Sequence, residues 1–411
     1  MTNLPQGWKW KSLGEICFIT DGTHKTPNYI ETGIPFLSVK NISKGFFDLS
    51  DVKYISLEEH NKLIKRAKPE FGDILICRIG TLGKAIKISL EFEFSIFVSL
   101  GLLKPKVKII SDYLVYFLNS CFIEEWINDN KVGGGTHTAK LNLNILEKCP
   151  IALPPLKEQE RIVGILDENF AKIDENIKIL EQDLLNLDEL MQSALQKAFN
   201  PLKDNAKENY KLPQGWEWKN LGEIANTSSG GTPSRNKKEY WENGNIKWLK
   251  SGELNDGYID FIEENITEEA IKNSSAKIFQ KGTLLIAMYG ATAGKLGILN
   301  LDSTTNQAIC AFLHKDKNIK FLEKFLFYFL FFLRDKIIKD SFGGAQPNIN
   351  QTYIKNLQIP LPPIKEQEQI ASHLDELSSH VKNLKQNYQA QIKDLQELKN
   401  SLLDKAFKGN L

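Results

Sequence analysis

The sequence of 411 residues is poor in cysteine and in long apolar runs, and each shortage excludes a class of protein. Its five cysteines are odd in number and show neither a CxxC pair nor a Cys/His spacing typical of a zinc site. We therefore expect reduced thiols in a reducing compartment. The longest apolar run is residues 325–333, whereas a helix needs about 20 residues to cross a membrane. No apolar stretch opens the sequence, so no signal peptide is expected.

Motifs that carry catalysis are also missing. The sequence has no GxSxG, no HExxH, no Gly-rich S-adenosylmethionine loop after a strand and no Asn/Asp-Pro-Pro-Tyr/Phe motif. GATAGKL at 290–296 resembles a phosphate-binding loop, but three residues separate its glycines where four are required, and Leu296 replaces the required Ser/Thr. We interpret this run as a tight strand-to-strand turn. The chain is therefore predicted to bind and position other molecules.

What the sequence does contain is a tandem repeat. LPQGWKWKSLGEI at 4–16 recurs as LPQGWEWKNLGEI at 212–224, and LPPLKEQERIVGILDE at 153–168 recurs as LPPIKEQEQIASHLDE at 361–376. Both pairs are 208 residues apart (212 − 4 and 361 − 153). A unit of this length is domain-sized, which indicates a duplicated domain and not a solenoid.

Each copy ends in a predicted long helix. From Val163 to Ala198 apolar residues recur in alternating steps of three and four, and a second seam with steps of three or four runs from Leu374 to Leu402. Pro201 ends the first pattern. A solitary helix would expose this apolar seam, so we expect the two seams to pack together; a helix packed on its own globular block is the alternative. Because the second copy must travel back along the first, the pair is predicted to be antiparallel.

The block before each helix mixes strand and helix patterns. GDILICRIG at 72–80 and GTLLIAMYG at 282–290 are typical of buried strands. Residues 112–129 and 320–338 are each typical of a helix with an apolar face. The net charge is +3 over 1–156, −5 over 157–200, +3 over 201–363 and 0 over 364–411.

These motifs, in this order, resemble the specificity subunit of type I restriction–modification systems. The resemblance rests on LPxGWxWxxLGEI opening and LPPxxEQxxI closing each block, with GGTPSR at 230–235 and GATAGK at 290–295. It covers essentially the whole chain. The first block departs from the second in having DGTHKTP at 21–27 and GTLGK at 80–84, which indicates a diverged first domain.

The resemblance implies an α+β fold with an internal pseudo-two-fold repeat. Two similar mixed α/β target-recognition domains would lie at opposite ends of a long antiparallel two-helix coiled coil. The expected segments are target-recognition domain 1 at 1–156, a central conserved helix at 157–200, a linker at 201–211, target-recognition domain 2 at 212–363 and a C-terminal conserved helix at 364–411.

The resemblance also implies a function and partners. Each domain would read one half of a bipartite, asymmetric site in double-stranded DNA, and the chain would position two methylation subunits and the restriction subunits. The chain itself would be non-catalytic and would bind no cofactor or metal, because S-adenosylmethionine, ATP and magnesium would be used by the partners. We expect a cytoplasmic protein without a membrane partner. The alternatives are a subunit of a methylation-only complex and a coiled-coil scaffold that does not bind DNA.

Candidate DNA contacts are the basic and polar residues of loops between predicted strands. Arg and Lys suit guanine, Asn and Gln suit adenine, and hydroxyls adapt to bases or phosphates; a turn or capping role is the alternative for each. Arg78 stands out, because an Arg on an apolar strand needs an anionic or polar partner. The candidates in the first domain are Thr23, His24, Lys25, Thr26, Lys40, Asn41, Lys44, Arg78, Thr81, Lys84, His137, Thr138 and Lys140. Those in the second are Thr232, Ser234, Arg235, Lys237, Lys250, Ser251, Tyr289, Thr292, Lys295, Gln346, Asn348 and Asn350.

The helix pair is predicted to set the distance between the two half-sites. One heptad inserted after Leu180 and another after Tyr388 would lengthen the pair by about 10 Å while keeping the seam in phase. Since DNA rises about 3.4 Å per base pair, the preferred spacer should grow by up to about three base pairs. The methylation motif of the assembled complex measures this. An active variant that still modifies only the original spacing would contradict the prediction.

Overall fold

The computed structural model describes residues 4–134, 139–199, 212–315, 321–341 and 348–411, so the predicted linker at 201–211 lies outside the described residues. The chain divides into two compact units. Unit 1 comprises Met1–Glu181 and Tyr388–Leu411, and unit 2 comprises Gln182–Asn387. Both units combine strands with helices, which confirms the predicted class of two similar mixed α/β domains.

The strands and helices of unit 1 follow the order expected from its patterns. Its strands are β1 (Lys9–Ser12), β2 (Cys17–Asp21), β3 (Ile34–Leu37), β4 (Lys53–Ile55), β5 (Ile74–Cys77), β6 (Ala85–Lys87), β7 (Ser95–Ile96), β8 (Leu100–Pro105) and β9 (Pro150–Leu153). Its helices are α1 (Leu13–Ile16), α2 (Leu57–Leu63), α3 (Ser111–Leu118), α4 (Cys121–Asn130), α5 (Leu143–Leu146) and the first part of α6 (Leu156–Phe199).

Unit 2 repeats this order with two additional strands, β13 and β15. Its strands are β10 (Glu217–Asn220), β11 (Ala225–Ser229), β12 (Ile246–Leu249), β13 (Gly257–Ile259), β14 (Asn265–Ile266), β15 (Ile278–Phe279), β16 (Leu284–Ala287), β17 (Leu296–Leu299), β18 (Ser303–Thr305), β19 (Ile309–His314) and β20 (Gln358–Leu361). Its helices are α7 (Leu221–Ile224), α8 (Glu268–Lys272), α9 (Glu323–Phe332), α10 (Arg334–Lys339), α11 (Gln351–Asn356) and the first part of α12 (Ile364–Phe407).

The described residues of each unit form three sheets, and these correspond one to one. In unit 1 the strand orders are β2-β8-β5-β6, β4-β3-β7 and the pair β1-β9. In unit 2 they are β11-β19-β16-β17-β13, β14-β12-β18-β15 and the pair β10-β20. The predicted buried strands are the central strands β5 and β16, and all four residues of each are buried. GATAGKL forms the turn between the antiparallel strands β16 and β17, as interpreted from the sequence.

The repeated sequence motifs are explained by the pairs β1-β9 and β10-β20. Lys9 pairs with Leu153, and Glu217 pairs with Leu361, so the opening motif of each block is hydrogen-bonded to its closing motif. The glutamine of the LPPxxEQ motif then fixes the following helix. Gln159 is buried and donates to the Pro154 carbonyl at 2.9 Å, and it accepts from the Ile110 amide at 2.9 Å.

Gln367 makes the equivalent bonds in unit 2, with the Pro362 carbonyl at 2.9 Å and the Leu322 amide at 2.8 Å. A buried amide whose oxygen and nitrogen are both bonded holds its position strongly, because breaking either bond would leave a buried polar group unsatisfied. The shared motifs therefore close each block and set the start of the long helix that follows it.

Two predicted helices are each broken into two. The prediction of one helix at 112–129 is wrong, because α3 ends at Leu118 and Ser120 is extended. Between them, the Asn119 side chain pairs with both backbone groups of Ala85 at 3.1 and 2.8 Å, as a neighbouring strand residue would. The prediction of one helix at 320–338 is likewise wrong, because α9 and α10 meet at Leu333, whose ψ of −1° departs from a regular helix.

The long helices run antiparallel within each unit, as predicted. In unit 1, Arg161 contacts the Leu411 carbonyl at 3.2 Å, and Asp174 pairs with Lys399 at 2.7 Å. Residue numbers that increase along α6 therefore pair with numbers that decrease along the C-terminal segment. In unit 2, Asp188 pairs with Lys385.

The predicted apolar seam is buried along only part of its length. Ile173, Leu187 and Val381 are buried, whereas Leu384 and Leu398 remain 38% and 45% exposed. No helix among the described residues is long and apolar enough to span a membrane.

The last residue of each long helix completes a core. Phe407 is 9% exposed and packs edge-on against Phe117, with ring centroids 4.9 Å apart, and against Tyr113 at 5.6 Å. Phe199 is 4% exposed and packs against Phe325 and Phe329 at 5.3 and 5.6 Å. Phe199 and Phe407 are 208 positions apart (407 − 199), so the repeat places the same aromatic anchor in each unit.

Removing either anchor should destabilise its unit. We expect Phe199→Ala and Phe407→Ala each to cost about 3–5 kcal/mol, the usual penalty for emptying a buried aromatic site. Urea unfolding measures the loss, and hydrogen exchange should locate it in unit 2 for Phe199→Ala and in unit 1 for Phe407→Ala. Ile179→Ala is the control, because Ile179 is 52% exposed. Equal losses in the control and the two variants would refute the anchoring role.

Candidate nucleic-acid interface

Each unit presents a loop that begins at a glycine packed against a neighbouring strand. A Cβ atom on Gly22 would lie 2.0 Å from the Ile96 carbonyl oxygen, and one on Gly230 would lie 2.0 Å from the Thr305 carbonyl oxygen. Only glycine fits such an approach. The next amide in each loop donates to that same carbonyl, at 3.1 and 2.9 Å. The loops 22–28 and 230–237 therefore leave their sheets at equivalent, tightly fixed points.

In unit 1 the residue before this glycine organises a cluster of charges. The buried Asp21 carboxylate accepts from Arg66, from Arg78 and from His24 Nε2, the last at 3.1 Å. We call Asp21, His24, Arg66 and Arg78 the Asp21 cluster. Burial alone would raise the pKa of Asp21, but the hydrogen bonds and charges of the two arginines outweigh burial and hold its pKa below the usual value near 3.8.

Arg78 has the anionic partner that its place on an apolar strand required. It is 8% exposed, and its Nε also donates to the Leu141 carbonyl at 2.9 Å. Asn41 is similarly engaged, since it is 4% exposed and its amide bonds the Ser38 nitrogen at 2.9 Å and the Asp48 carbonyl at 3.0 Å. Both side chains are committed inside the unit, which removes them from the residues that we propose to contact DNA.

The other described candidates of unit 1 lie on the loop at Gly22, in a separate cleft or at other exposed positions. Thr23, His24, Lys25 and Thr26 lie on the loop that begins at Gly22, and Thr23 Oγ1 fixes that loop by accepting from the Lys25 amide at 3.2 Å. Lys44 and Lys84 line a separate cleft. Lys44 pairs with Asp48 at 2.7 Å. The remaining exposed candidates are Lys40, Thr81 and Lys140, while His137 and Thr138 lie outside the described residues.

In unit 2 the equivalent loop carries an arginine held by aromatic rings. The Arg235 guanidinium carbon lies 3.6 Å from the ring centroid of Trp241 and 4.7 Å from that of Trp248. Its Nη1 pairs with Glu264 at 2.6 Å, and Glu264 also receives Lys250 at 2.7 Å. Burial would raise the pKa of Glu264, but these two cations lower it below its usual value. The stacking and the ion pair fix a half-exposed guanidinium in one orientation.

The remaining candidates of unit 2 divide between surface positions and structural roles. Thr232 Oγ1 donates to Gln307 at 2.5 Å, and Lys237 Nζ donates to the Tyr240 hydroxyl at 3.0 Å. Asn350 caps α11 by accepting from the Tyr353 amide at 2.7 Å, which is the capping alternative. Tyr289 forms a backbone bridge to Asn348. Ser234 lies on the exposed loop, Ser251 and Thr292 lie in short 3₁₀ helices, Lys295 is partly buried just before β17, and Gln346 lies outside the described residues.

Three residues near these loops were missed by sequence reasoning. Arg66 joins Asp21 across 45 positions, Glu264 organises Arg235 and Lys250, and Gln307 holds Thr232. Each contact is made by chain segments that are far apart in sequence, so no local spacing indicates it. Glu264 follows both of its basic partners in the sequence, so its place between them becomes visible only in the fold.

Four of the five cysteine thiols have a raised pKa. Cys17, Cys77, Cys149 and Cys310 are buried, and burial raises the pKa of each to about 12, so they are protonated at neutral pH. Across 4–134, 139–199, 212–315, 321–341 and 348–411, no group of three His, Cys, Asp or Glu side chains is arranged to hold a metal ion.

Comparison with known proteins gives one consistent family. Residues 5–183 and 213–394 both match the type I restriction modification DNA specificity domain. The specificity subunit of the type I restriction enzyme StySPI from Salmonella potsdam is 27% identical, over 99% of this chain and 90% of that protein. The specificity subunit of EcoKI from Escherichia coli strain K12 is 26% identical over the same shares.

Solved structures agree on the fold. A chain solved in work on complex assembly and conformational transition of the type I R-M system superimposes with a TM-score of 0.80 at 24% identity, with all of both chains covered. The HsdS subunit from Thermoanaerobacter tengcongensis superimposes with a TM-score of 0.59 at 23% identity, over 100% of this chain and 99% of that one.

Removing the charge of Asp21 should destabilise unit 1. Asp21→Asn leaves Arg78 buried without an anion, which should cost about 3–5 kcal/mol at pH 7. Because the folded state lowers the pKa of Asp21, its charge stabilises the fold above pH 3.8, and this contribution is lost as the pH falls below that value. The free energy of unfolding, measured against pH, should therefore differ most between wild type and variant at neutral pH and converge in acid. Ser229→Ala, at the equivalent place in unit 2, is the control. A constant difference down to pH 2 would contradict the assignment.

Proposed function

The chain belongs to the type I restriction modification DNA specificity family, and we propose that each of its two recognition domains reads one half of a bipartite, asymmetric DNA site. The supporting observation is that the two units hold an equivalent loop on a shared scaffold, whereas the side chains of that loop differ. Gly22 and Gly230 fix the loops 22–28 and 230–237 at equivalent points. A protein that read the same bases twice would keep the same side chains at those points.

The loop chemistry differs between the units in a way that suits different bases. Unit 1 presents Thr23, His24 and Lys25, whereas unit 2 presents Thr232 and the stacked Arg235. A guanidinium held in one plane suits the bidentate acceptors of guanine, and hydroxyls adapt to either base or phosphate. The exposed candidates form the proposed contact set, and their identities would give each half-site its own sequence.

The chemistry would belong to partners. We propose that this chain is a non-catalytic cytoplasmic subunit that positions two methylation subunits and the restriction subunits on DNA. S-adenosylmethionine, ATP and magnesium would be bound by those partners and not by this chain. Support comes from family membership and from relatives named as specificity subunits of type I restriction enzymes. A methylation-only complex would use the same DNA-reading surfaces without restriction subunits.

Exchanging one recognition block tests the two-reader proposal. Residues 17–148 lie between β1 and β9, so their replacement by the matching block of a relative leaves the closing strand pair intact. With the chain expressed alongside its methylation subunit, the genomic methylation motif should change in one half-site and keep the other. A chimaera that changes both halves would defeat the proposal, and a wild-type chain that directs no motif would favour the DNA-free scaffold. The parent relative, typed in the same way, is the control.

A further inference from the structure

The Asp21 cluster contains more positive than negative charge. Asp21 supplies one carboxylate, whose side chain is 2% exposed, and it receives the guanidinium groups of both Arg66 and Arg78. Arg78 is buried beside the carboxylate and neutralises it. Arg66 is the second cation, and its side chain is 54% exposed. A positive charge therefore remains at the surface of unit 1, next to the loop that begins at Gly22.

Arg66 also has hydrogen-bond donors to spare. A guanidinium carries five N–H donors in a planar fork. Its Nε donates to Asp21 at 3.2 Å and its Nη2 donates to the same carboxylate, while both Nη1 donors have no partner among the described residues. The carboxylate thus holds the edge formed by Nε and Nη2, and the end formed by Nη1 and Nη2 keeps donors without a partner among the described residues.

The three equivalent positions in unit 2 are uncharged, although Lys277 lies nearby and donates to Ser228 at 3.2 Å. Asp21 and Ser229 are the last residues of the equivalent strands β2 and β11. Arg78 and Met288 directly follow the equivalent strands β5 and β16. The buried ion pair of unit 1 is therefore replaced by a serine and a methionine in unit 2.

The residue of unit 2 that corresponds to Arg66 is also uncharged. Arg66 corresponds to Ser275, because each precedes a buried alanine, Ala67 or Ala276, that lies shortly before the turn into the central strand of its unit. Since the whole charged arrangement is confined to one of two otherwise matched units, it is not needed to build the scaffold. A role particular to the ligand of unit 1 accounts for it.

We propose that Arg66 binds a phosphate of the DNA backbone in the half-site read by unit 1, with Asp21 and Arg78 as the residues that position it. This inference rests on the proposed function. The end of the planar fork offers one free N–H of Nη1 beside the second N–H of Nη2, which matches two phosphate oxygens, and charge-assisted bonds of this kind are strong. Phosphate contacts fix the register of a protein on DNA, so a rigid cation beside the reading loop would place that loop over its bases.

A salt titration tests the charge of the contact. The full chain, assembled with its methylation subunits, is bound to a duplex that carries its methylation motif, and the dissociation constant is measured from 50 to 200 mM salt. Losing one phosphate contact should lower the salt slope by about 0.9, so the affinity lost over this range should be about 3.5-fold smaller for Arg66→Ala than for wild type.

Lys68→Ala is the matched control for this titration. Lys68 lies two residues away, is also 54% exposed and pairs with Glu70 at 3.0 Å. It should keep the wild-type slope, because it changes the overall charge without removing the proposed contact. An equal fall in both variants would show a diffuse charge effect and would overturn the proposal.

A scan with neutral methylphosphonate linkages locates the phosphate. In wild type, one position in the half-site of unit 1 should weaken binding when neutralised, and that position should lose its effect in Arg66→Ala. The same loss is expected in Asp21→Ser/Arg78→Met, which installs the residues of unit 2 and avoids an unpaired buried charge while keeping Arg66. If no position couples to Arg66, or if Arg66→Ala only relaxes base choice, the phosphate assignment is wrong. Failure of wild type to bind the duplex would instead refute the proposed function.

Discussion

The architecture depends on the hydrogen-bonded pairing of the first and last strands of each block. The pairs β1-β9 and β10-β20 join segments that are more than a hundred residues apart, and they fix the point at which each long helix begins. Gln159 and Gln367 then satisfy backbone groups on both sides of that point. Once these strands and amides are in place, everything between them is closed off as a separate block. The interior of a block can then vary while the helix that follows it keeps its direction.

This division explains where the two units agree and where they differ. Residues that close the blocks or fill the helix ends occur twice at a constant offset, as Phe199 and Phe407 show. Residues at the loop tips differ, and so do the side-chain contacts that hold the loops in place. Unit 1 fixes its loop with a buried ion pair, whereas unit 2 fixes Arg235 with two tryptophan rings and Glu264. Rigid presentation of polar groups is thus achieved by unrelated side chains in the two units.

Sequence reasoning predicted the features that repeat or that follow a regular period. The duplication, the antiparallel helices, the buried strands β5 and β16 and the turn before Leu296 all have local or periodic signals. The breaks at Asn119 and Leu333 were missed, because they depend on a side chain that reaches another strand or on a local backbone adjustment. The need of Arg78 for a partner was predictable from its apolar surroundings. The identity of that partner, and the part of Arg66 in the cluster, required the tertiary fold.

The buried pair of Asp21 and Arg78 constrains how this protein can evolve. Substitution of Asp21 alone leaves Arg78 in the interior without its counterion, which is among the costliest single changes in a protein core. The neutral arrangement of Ser229 and Met288 shows that the same site also folds without charge. The order of single substitutions therefore matters: replacing Asp21 first strands the buried Arg78, whereas replacing Arg78 first leaves Asp21 paired with Arg66.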